Sequence, residues 1–126
     1  MTHGRRYGFS LIELMVVMAI IAVLVTIALP RYQASLDNAK VVALKSNLRA
    51  LRQSIDHYQE DKARFPGSLQ ALVEERYLKA LPIDPLTDSA QTWVSIEETV
   101  DDATGVVDVR SGAKGGTADG VAYSEL

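Results

Sequence analysis

The sequence predicts an α+β fold, in which a long N-terminal helix, first membrane-spanning and then amphipathic, packs on a small antiparallel β-sheet head. The first supporting observation is an apolar run over residues 9–29 that contains one charged side chain, Glu13. The second is a helical repeat of apolar residues beyond Pro30. The third is a C-terminal part in which short segments alternate between apolar and polar residues, as half-buried strands do.

The apolar run over residues 9–29 is long enough to cross a membrane. At about 1.5 Å of rise per residue it makes roughly 31 Å of helix, which matches a hydrocarbon core of about 30 Å. Arg5 and Arg6 precede it, and basic residues favour the cytoplasmic side, although Arg31 at the far end weakens this bias. We therefore expect a cytoplasmic N-terminus and a head outside the cytoplasm.

The small residue Gly8 lies before the apolar run and not after it. An ordinary secretory signal has a shorter apolar region, and its small-residue cleavage site follows that region. A cut after Gly8 would instead remove residues 1–8 as a basic leader and leave the anchor on the mature chain. The sequence therefore predicts a cleaved leader and a retained membrane helix.

Glu13 is energetically costly inside a membrane-length segment, where an ionised side chain costs about 2.5–3.5 kcal/mol at the bilayer centre. A cut after Gly8 would create an amine on Phe9, four residues before Glu13 and on the same helix face. The partner of Glu13 is then its own amine or the Phe9 amine of a neighbouring copy. The alternative is a plain signal anchor with a neutral or snorkelling glutamate, which leaves Gly8 and the short leader unexplained.

Residues 30–64 are predicted to form the amphipathic half of the same long helix, with Pro30 tending to bend it. The apolar face covers only about two heptads, fewer than a coiled coil needs, so it is expected to pack against the chain's own head. The predicted face consists of Leu44, Leu48, Leu51, Ile55 and Tyr58.

Residues 65–126 are predicted to form a small head. Ser68 has the sequence context of an N-cap for a short helix. Strands are predicted at residues 92–96 and 107–110, with Asp101, Asp102 and Gly105 in the hairpin loop between them. A third strand is predicted at residues 121–123.

Composition narrows the function classes. The chain has no cysteine and no credible histidine pair, phosphate loop or nucleophile with a base, so we expect no enzymatic activity. Residues 31–64 carry a net charge of +3, and residues 65–126 carry −7. These are either two solvated faces or surfaces that attract between copies. No aromatic residues alternate with basic ones, so no nucleic-acid partner is predicted.

The string from Gly8 to Val17, GFSLIELMVV, resembles the N-terminal signature of type IV pilins and type II secretion pseudopilins. The resemblance implies that a membrane prepilin peptidase cuts between Gly8 and Phe9 and that Phe9 is N-methylated. Glu13 matches the glutamate that this family uses in assembly, and Pro30 matches its helix-bending proline. It also implies a single-pass inner-membrane protein with a periplasmic head, which leaves the lipid to join a filament of identical copies.

The head shows a narrower resemblance. Residues 77–85, the following Trp93 and residues 108–113 are similar to the major, G-type pseudopilins of type II secretion. This resemblance implies a structural subunit of a pseudopilus that supports protein secretion across the outer membrane. The implied partners are an inner-membrane platform protein and minor pseudopilins.

The same resemblance implies a calcium ion in the C-terminal loop, and here the sequence departs from it. Lys114 stands where an aspartate is expected, and its ammonium group opposes binding of a cation. Asp119 is the remaining weak candidate ligand. We therefore expect no cofactor.

Two alternative functions remain open at the level of sequence. One is a major or minor pilin of a type IV pilus, serving adhesion, motility or DNA uptake. The other is a membrane-anchored binding protein at a filament tip. Tip subunits of the family often lack the assembly glutamate, so Glu13 favours a subunit with neighbours on both sides.

Overall fold

The computed structural model describes residue 4 and residues 8–126. Along the chain it contains helix α1 (Leu11–Lys62), helix α2 (Leu69–Glu74), strand β1 (Val94–Val100), strand β2 (Ala103–Arg110) and a 3-10 turn (Tyr123–Glu125). A long helix followed by a small antiparallel sheet confirms the predicted α+β class. Most of the predicted leader, apart from Gly4 and Gly8, lies outside the described residues.

The chain divides between Asp37 and Asn38 into two compact units, which are described separately. The first unit contains the N-terminal part of α1. No residue of its most apolar stretch is buried in the isolated chain, and α1 is long and apolar enough to cross a membrane. Pro30 lies inside α1, where it lacks the N–H that would bond the Thr26 carbonyl.

The second unit is built around the C-terminal part of α1. All five residues of the predicted apolar face are at most 2% exposed, which confirms that this face packs against the chain's own head. Burial of these side chains supplies the main apolar stabilisation of the head. The buried core that they share with the head contains Leu69, Leu72, Trp93, Val106 and Val109.

Strands β1 and β2 form a two-stranded antiparallel hairpin, with Val94 opposite Arg110 and Val100 opposite Ala103. The register shifts by one residue between Ile96, which lies opposite Asp108, and Glu97, which lies opposite Val106. Asp101 and Asp102 make the turn, with φ of 52° and 66°. Positive φ at both central positions suits the right-handed twist of a tight hairpin, and aspartate tolerates it. The predicted loop at these two residues is therefore confirmed.

The prediction for Gly105 was wrong, because this glycine lies within β2. A β-carbon at position 105 would lie 2.7 Å from the β-carbon of Phe65. The glycine thus allows the strand to pass closely over the segment that follows α1. The Val106 N–H donates to the Pro66 carbonyl at 2.7 Å and holds this approach.

The predicted third strand at residues 121–123 was also wrong. Gly116 and Ala122 form a single isolated bridge, and a 3-10 turn begins at Tyr123. The Thr117 N–H donates to the Val121 carbonyl and the Tyr123 N–H to the Gly115 carbonyl. This segment pairs with its own glycine-rich loop and not with the hairpin, which alternation alone does not reveal.

Side-chain contacts join α2 and the following turn to α1. Ser68 caps α2 as predicted, its hydroxyl accepting the Ala71 N–H at 3.2 Å. The Tyr77 hydroxyl donates to Asp61 at 2.8 Å, and this bond to a carboxylate raises the pKa of Tyr77. The centroids of the Tyr77 and Tyr58 rings lie 5.2 Å apart.

Arg52 links α1 to β2 and to the end of the head. Its Nε donates to Asp108 Oδ1 at 2.9 Å, and its two terminal nitrogens donate to the carbonyls of Val109 and Leu126 at 3.0 Å. A guanidinium group donates in several directions in one plane, so a single side chain fixes three points of the head.

Candidate processing and assembly site

The N-terminus of α1 is set by Ser10. The Ser10 hydroxyl accepts the Glu13 N–H at 3.2 Å, and its carbonyl accepts the Leu14 N–H at 3.2 Å. Residues 8–10 lie outside the helix and are exposed. Ser10 is therefore the N-cap, and it leaves the Gly8–Phe9 peptide bond in non-helical, accessible chain.

The cap was not anticipated from sequence, although a signal for it was present. Ser10-Leu11-Ile12-Glu13 is the S-x-x-E pattern of a capping box that precedes an apolar run. One half of the box is formed, since the Ser10 hydroxyl accepts from the Glu13 backbone.

Glu13 lies in the first turn of α1, one turn beyond Phe9. These two residues line a shallow, almost wholly apolar recess on the helix surface together with Ile12, Val16 and Val17. The positive end of the helix dipole stabilises a carboxylate in the first turn. The same positive helix end repels a positively charged amine on Phe9. A nearby carboxylate is attracted to both the helix end and the amine, so it offsets this repulsion.

The Glu13 carboxylate forms no hydrogen bond or ion pair with any residue that the structure describes. The Phe9 side chain is 89% exposed. The described part of the chain thus presents an unpaired carboxylate beside an exposed aromatic residue at the helix start. This arrangement accommodates a partner group from outside the chain.

Of the predicted site residues, Gly8, Phe9 and Glu13 lie together at the start of α1, and Pro30 does not. Pro30 is separated from Glu13 by 17 positions of helix, or roughly 25 Å at about 1.5 Å per residue. Pro30 therefore lies apart from the charged group at the start of α1 and alters only the backbone of the helix.

The weak metal candidate belongs to the second unit. Lys114 and Asp119 are both exposed in the loop between Ser111 and the 3-10 turn. Among the residues described, no three His, Cys, Asp or Glu side chains gather into a group that could hold a metal ion. Backbone bonds within residues 115–123 close this loop on itself.

A buried acidic residue that sequence reasoning missed supports this loop. Asp84 is fully buried, and its two carboxyl oxygens accept the Leu86 N–H at 2.9 Å and the Ser111 hydroxyl at 2.5 Å. The Ser111 hydroxyl in turn accepts the Ala113 N–H at 3.1 Å. Asp84 lies between two prolines in sequence, a context that indicated an extended loop and gave no sign of burial.

Comparison with known proteins finds a matching family model and several similar proteins. The family model described as the prokaryotic N-terminal methylation motif matches residues 4–29. The type II secretion system core protein G of Pseudomonas aeruginosa is 33% identical over 101 residues, covering 68% of this chain and 71% of that protein. The Klebsiella pneumoniae protein of the same name is 34% identical over 97 residues, covering 64% of this chain and 69% of that protein.

A shorter stretch of the chain is similar to a competence protein. Competence protein ComGC of Halalkalibacterium halodurans is 32% identical over 72 residues, covering 57% of this chain and 71% of that protein. No solved structure gives a significant match.

A methylation motif on a membrane-length helix, joined to a small α+β head, defines the class of type IV pilin-like proteins. Within that class, the chain belongs to the type II secretion system core protein G family. The resemblance seen in the N-terminal signature and in the head is thereby confirmed by matches that cover about two thirds of the chain.

Proposed function

We propose that the protein is a structural subunit of a type II secretion pseudopilus, which supports protein secretion across the outer membrane. It is cut between Gly8 and Phe9, N-methylated on Phe9 and polymerised through α1. The observation that carries this proposal is the Glu13 carboxylate in the first turn of α1, four residues from the predicted new N-terminus and without a partner among the residues that the structure describes. Membership of the core protein G family supports the secretion role.

In this proposal the precursor is a single-pass inner-membrane protein with its head in the periplasm. Its partners are the prepilin peptidase, the surrounding lipid, an inner-membrane platform protein, minor pseudopilins and other copies of itself. The role is structural and not enzymatic. The exposed apolar surface of the first unit supports burial in lipid before assembly and against neighbouring helices afterwards.

A type IV pilus subunit is the second candidate, favoured by the similarity to a competence protein. The match to core protein G covers 68% of this chain, and the match to the competence protein covers 57%. The secretion role is therefore preferred. Expression beside a secretin and several minor pseudopilins separates the two, since only the secretion subunit should restore export of a secreted enzyme.

The proposed processing can be tested by intact mass spectrometry of the chain from membranes with and without the prepilin peptidase. With the peptidase, we expect a chain that begins at Phe9 and carries one added methyl group. Without it, the chain should keep residues 1–8. Filaments built from chains that retain the leader would contradict the proposed function.

We further propose that the head folds without calcium. The loop that the family resemblance assigned to the ion contains Lys114, and backbone hydrogen bonds close it. The Ser111 hydroxyl donates to the Asp84 carboxylate, and this hydrogen bond joins the start of the C-terminal loop to the loop around Pro82. Calcium prefers six to eight oxygen ligands with several carboxylates, and Asp119 alone does not supply them.

Calcium independence predicts equal thermal midpoints for the full chain in detergent with excess chelator and with millimolar calcium, followed by the fluorescence of the single tryptophan, Trp93. A midpoint raised by calcium but not by magnesium would contradict it. Lys114→Asp is the matched variant: if it alone gains a calcium-dependent midpoint, the ammonium group is what excludes the ion.

A further inference from the structure

Helix α1 begins at Leu11, shortly after the Gly8–Phe9 bond that the proposed processing cuts. The first carbonyl that accepts a helical bond is that of Ser10, from the Leu14 N–H. The Ser10 hydroxyl accepts the Glu13 N–H and closes the helix end. Gly8 and Phe9 precede this cap and are exposed and non-helical.

Loss of the Ser10 hydroxyl would let the helix begin earlier. Alanine is a poor N-cap, whereas glycine is tolerated at that position, so Gly8 is the next available cap. A helix capped at Gly8 would place Phe9 in its first turn. The Gly8 carbonyl would then accept the Ile12 N–H, because an N-cap carbonyl accepts the first helical bond.

That shift would involve the carbonyl of the scissile bond. Hydrolysis adds water across the Gly8–Phe9 bond, so that Gly8 keeps the carboxylate and Phe9 leaves as an amine that takes up a proton. Peptidases act on accessible, non-helical chain. A carbonyl already bonded within a helix must first be released before it can be attacked.

We propose that Ser10 is a positioning residue for leader removal: its N-cap holds the start of α1 two residues past the Gly8–Phe9 bond and keeps that bond non-helical. This inference rests on the proposed processing after Gly8. Ser10 takes no part in the bond chemistry. It acts through the helix that it caps, so other capping side chains should replace it.

The test compares cleavage of the full-length precursor in detergent by purified prepilin peptidase. The variants are Ser10→Ala, which removes the cap, and Ser10→Asn and Ser10→Asp, which keep a capping oxygen on a different side chain. Ser10→Ala should slow cleavage about fivefold, the change that corresponds to a cap worth about 1 kcal/mol. Asn and Asp should restore the rate to within about twofold of wild type.

Hydrogen exchange of the Glu13 amide is the second readout. Exchange should be faster in Ser10→Ala and near the wild-type rate in the Asn and Asp variants. Equal cleavage of Ser10→Ala and wild type would overturn the inference, as would slow cleavage of all three variants, which indicates that the peptidase reads serine itself. If wild type is not cut after Gly8, the proposed processing fails as well, and this control separates the two failures.

Discussion

Glu13→Ala should leave membrane insertion and leader removal intact but abolish filament assembly. The apolar run becomes more hydrophobic without the carboxylate, so insertion improves if it changes at all. We infer that Glu13 pairs with the Phe9 amine of a neighbouring copy in the filament, and assembly of the variant loses this ion pair. Coupling energies of close charge pairs at interfaces reach several kcal/mol, and about 3 kcal/mol at each contact corresponds to roughly a hundredfold in association.

The measurement is the yield of filaments, by electron microscopy and sedimentation, from cells that express the variant with the cognate secretion genes. Glu13→Gln is the matched control, because it keeps the size of the side chain and removes only the charge. It should fail as Glu13→Ala does, whereas Glu13→Asp should retain partial assembly. Wild-type filament yields from Glu13→Gln would show that shape, and not charge, is what assembly requires.

Asp84→Ala should destabilise the head by about 3 kcal/mol. The substitution removes two hydrogen bonds to a buried carboxyl group and leaves the Leu86 N–H and the Ser111 hydroxyl without their partner. It also frees the loop around Pro82 from the C-terminal loop. We expect a lower midpoint of urea unfolding of the full chain in detergent, followed by fluorescence of Trp93, which is 9% exposed.

Asp84→Asn is the control for that result. Its carbonyl oxygen can still accept the Leu86 N–H, and its amide can donate to Ser111, so the loss should stay below about 1.5 kcal/mol. If Asp84→Ala unfolds at the wild-type urea concentration, the buried pair does not hold the head together.

The helical parts of the fold were predictable because their signals repeat along the chain. The face from Leu44 to Tyr58 shows the spacing of an amphipathic helix, and the first unit has the length and composition of a membrane span. Ser68 was identified as a cap because a proline and a glycine before it mark a break in the chain. Each of these features depends on neighbours within a few residues.

The features that were missed depend on partners far away in sequence. Gly105 lies within β2 because Phe65 passes beneath it, and Asp84 is buried because Ser111 reaches it. Residues 121–123 alternate between apolar and small side chains as a strand does, but their backbone pairs with the adjacent glycine-rich loop and not with the hairpin. No local pattern encodes these contacts.

The arrangement of the candidate residues could be predicted in part, and their roles stay predictions. Gly8, Phe9 and Glu13 were identified through the position of one charge in an apolar run, and the structure places them together at the start of α1. Ser10 was overlooked because its role lies in backbone hydrogen bonding and not in charge. The sequence indicated which residues lie near one another, and the structure shows that the helix start between them is capped by Ser10.

The inferred ion pair between Glu13 of one copy and the Phe9 amine of the next can be observed in the filament itself. The most direct measurement is the distance between the Glu13 carboxylate and the Phe9 nitrogens in a reconstruction of the assembled filament. We predict a neighbour's nitrogen within about 4 Å, the usual reach of an ion pair. A Glu13 carboxylate that lies within that distance only of its own amine, or of none, would contradict the claim.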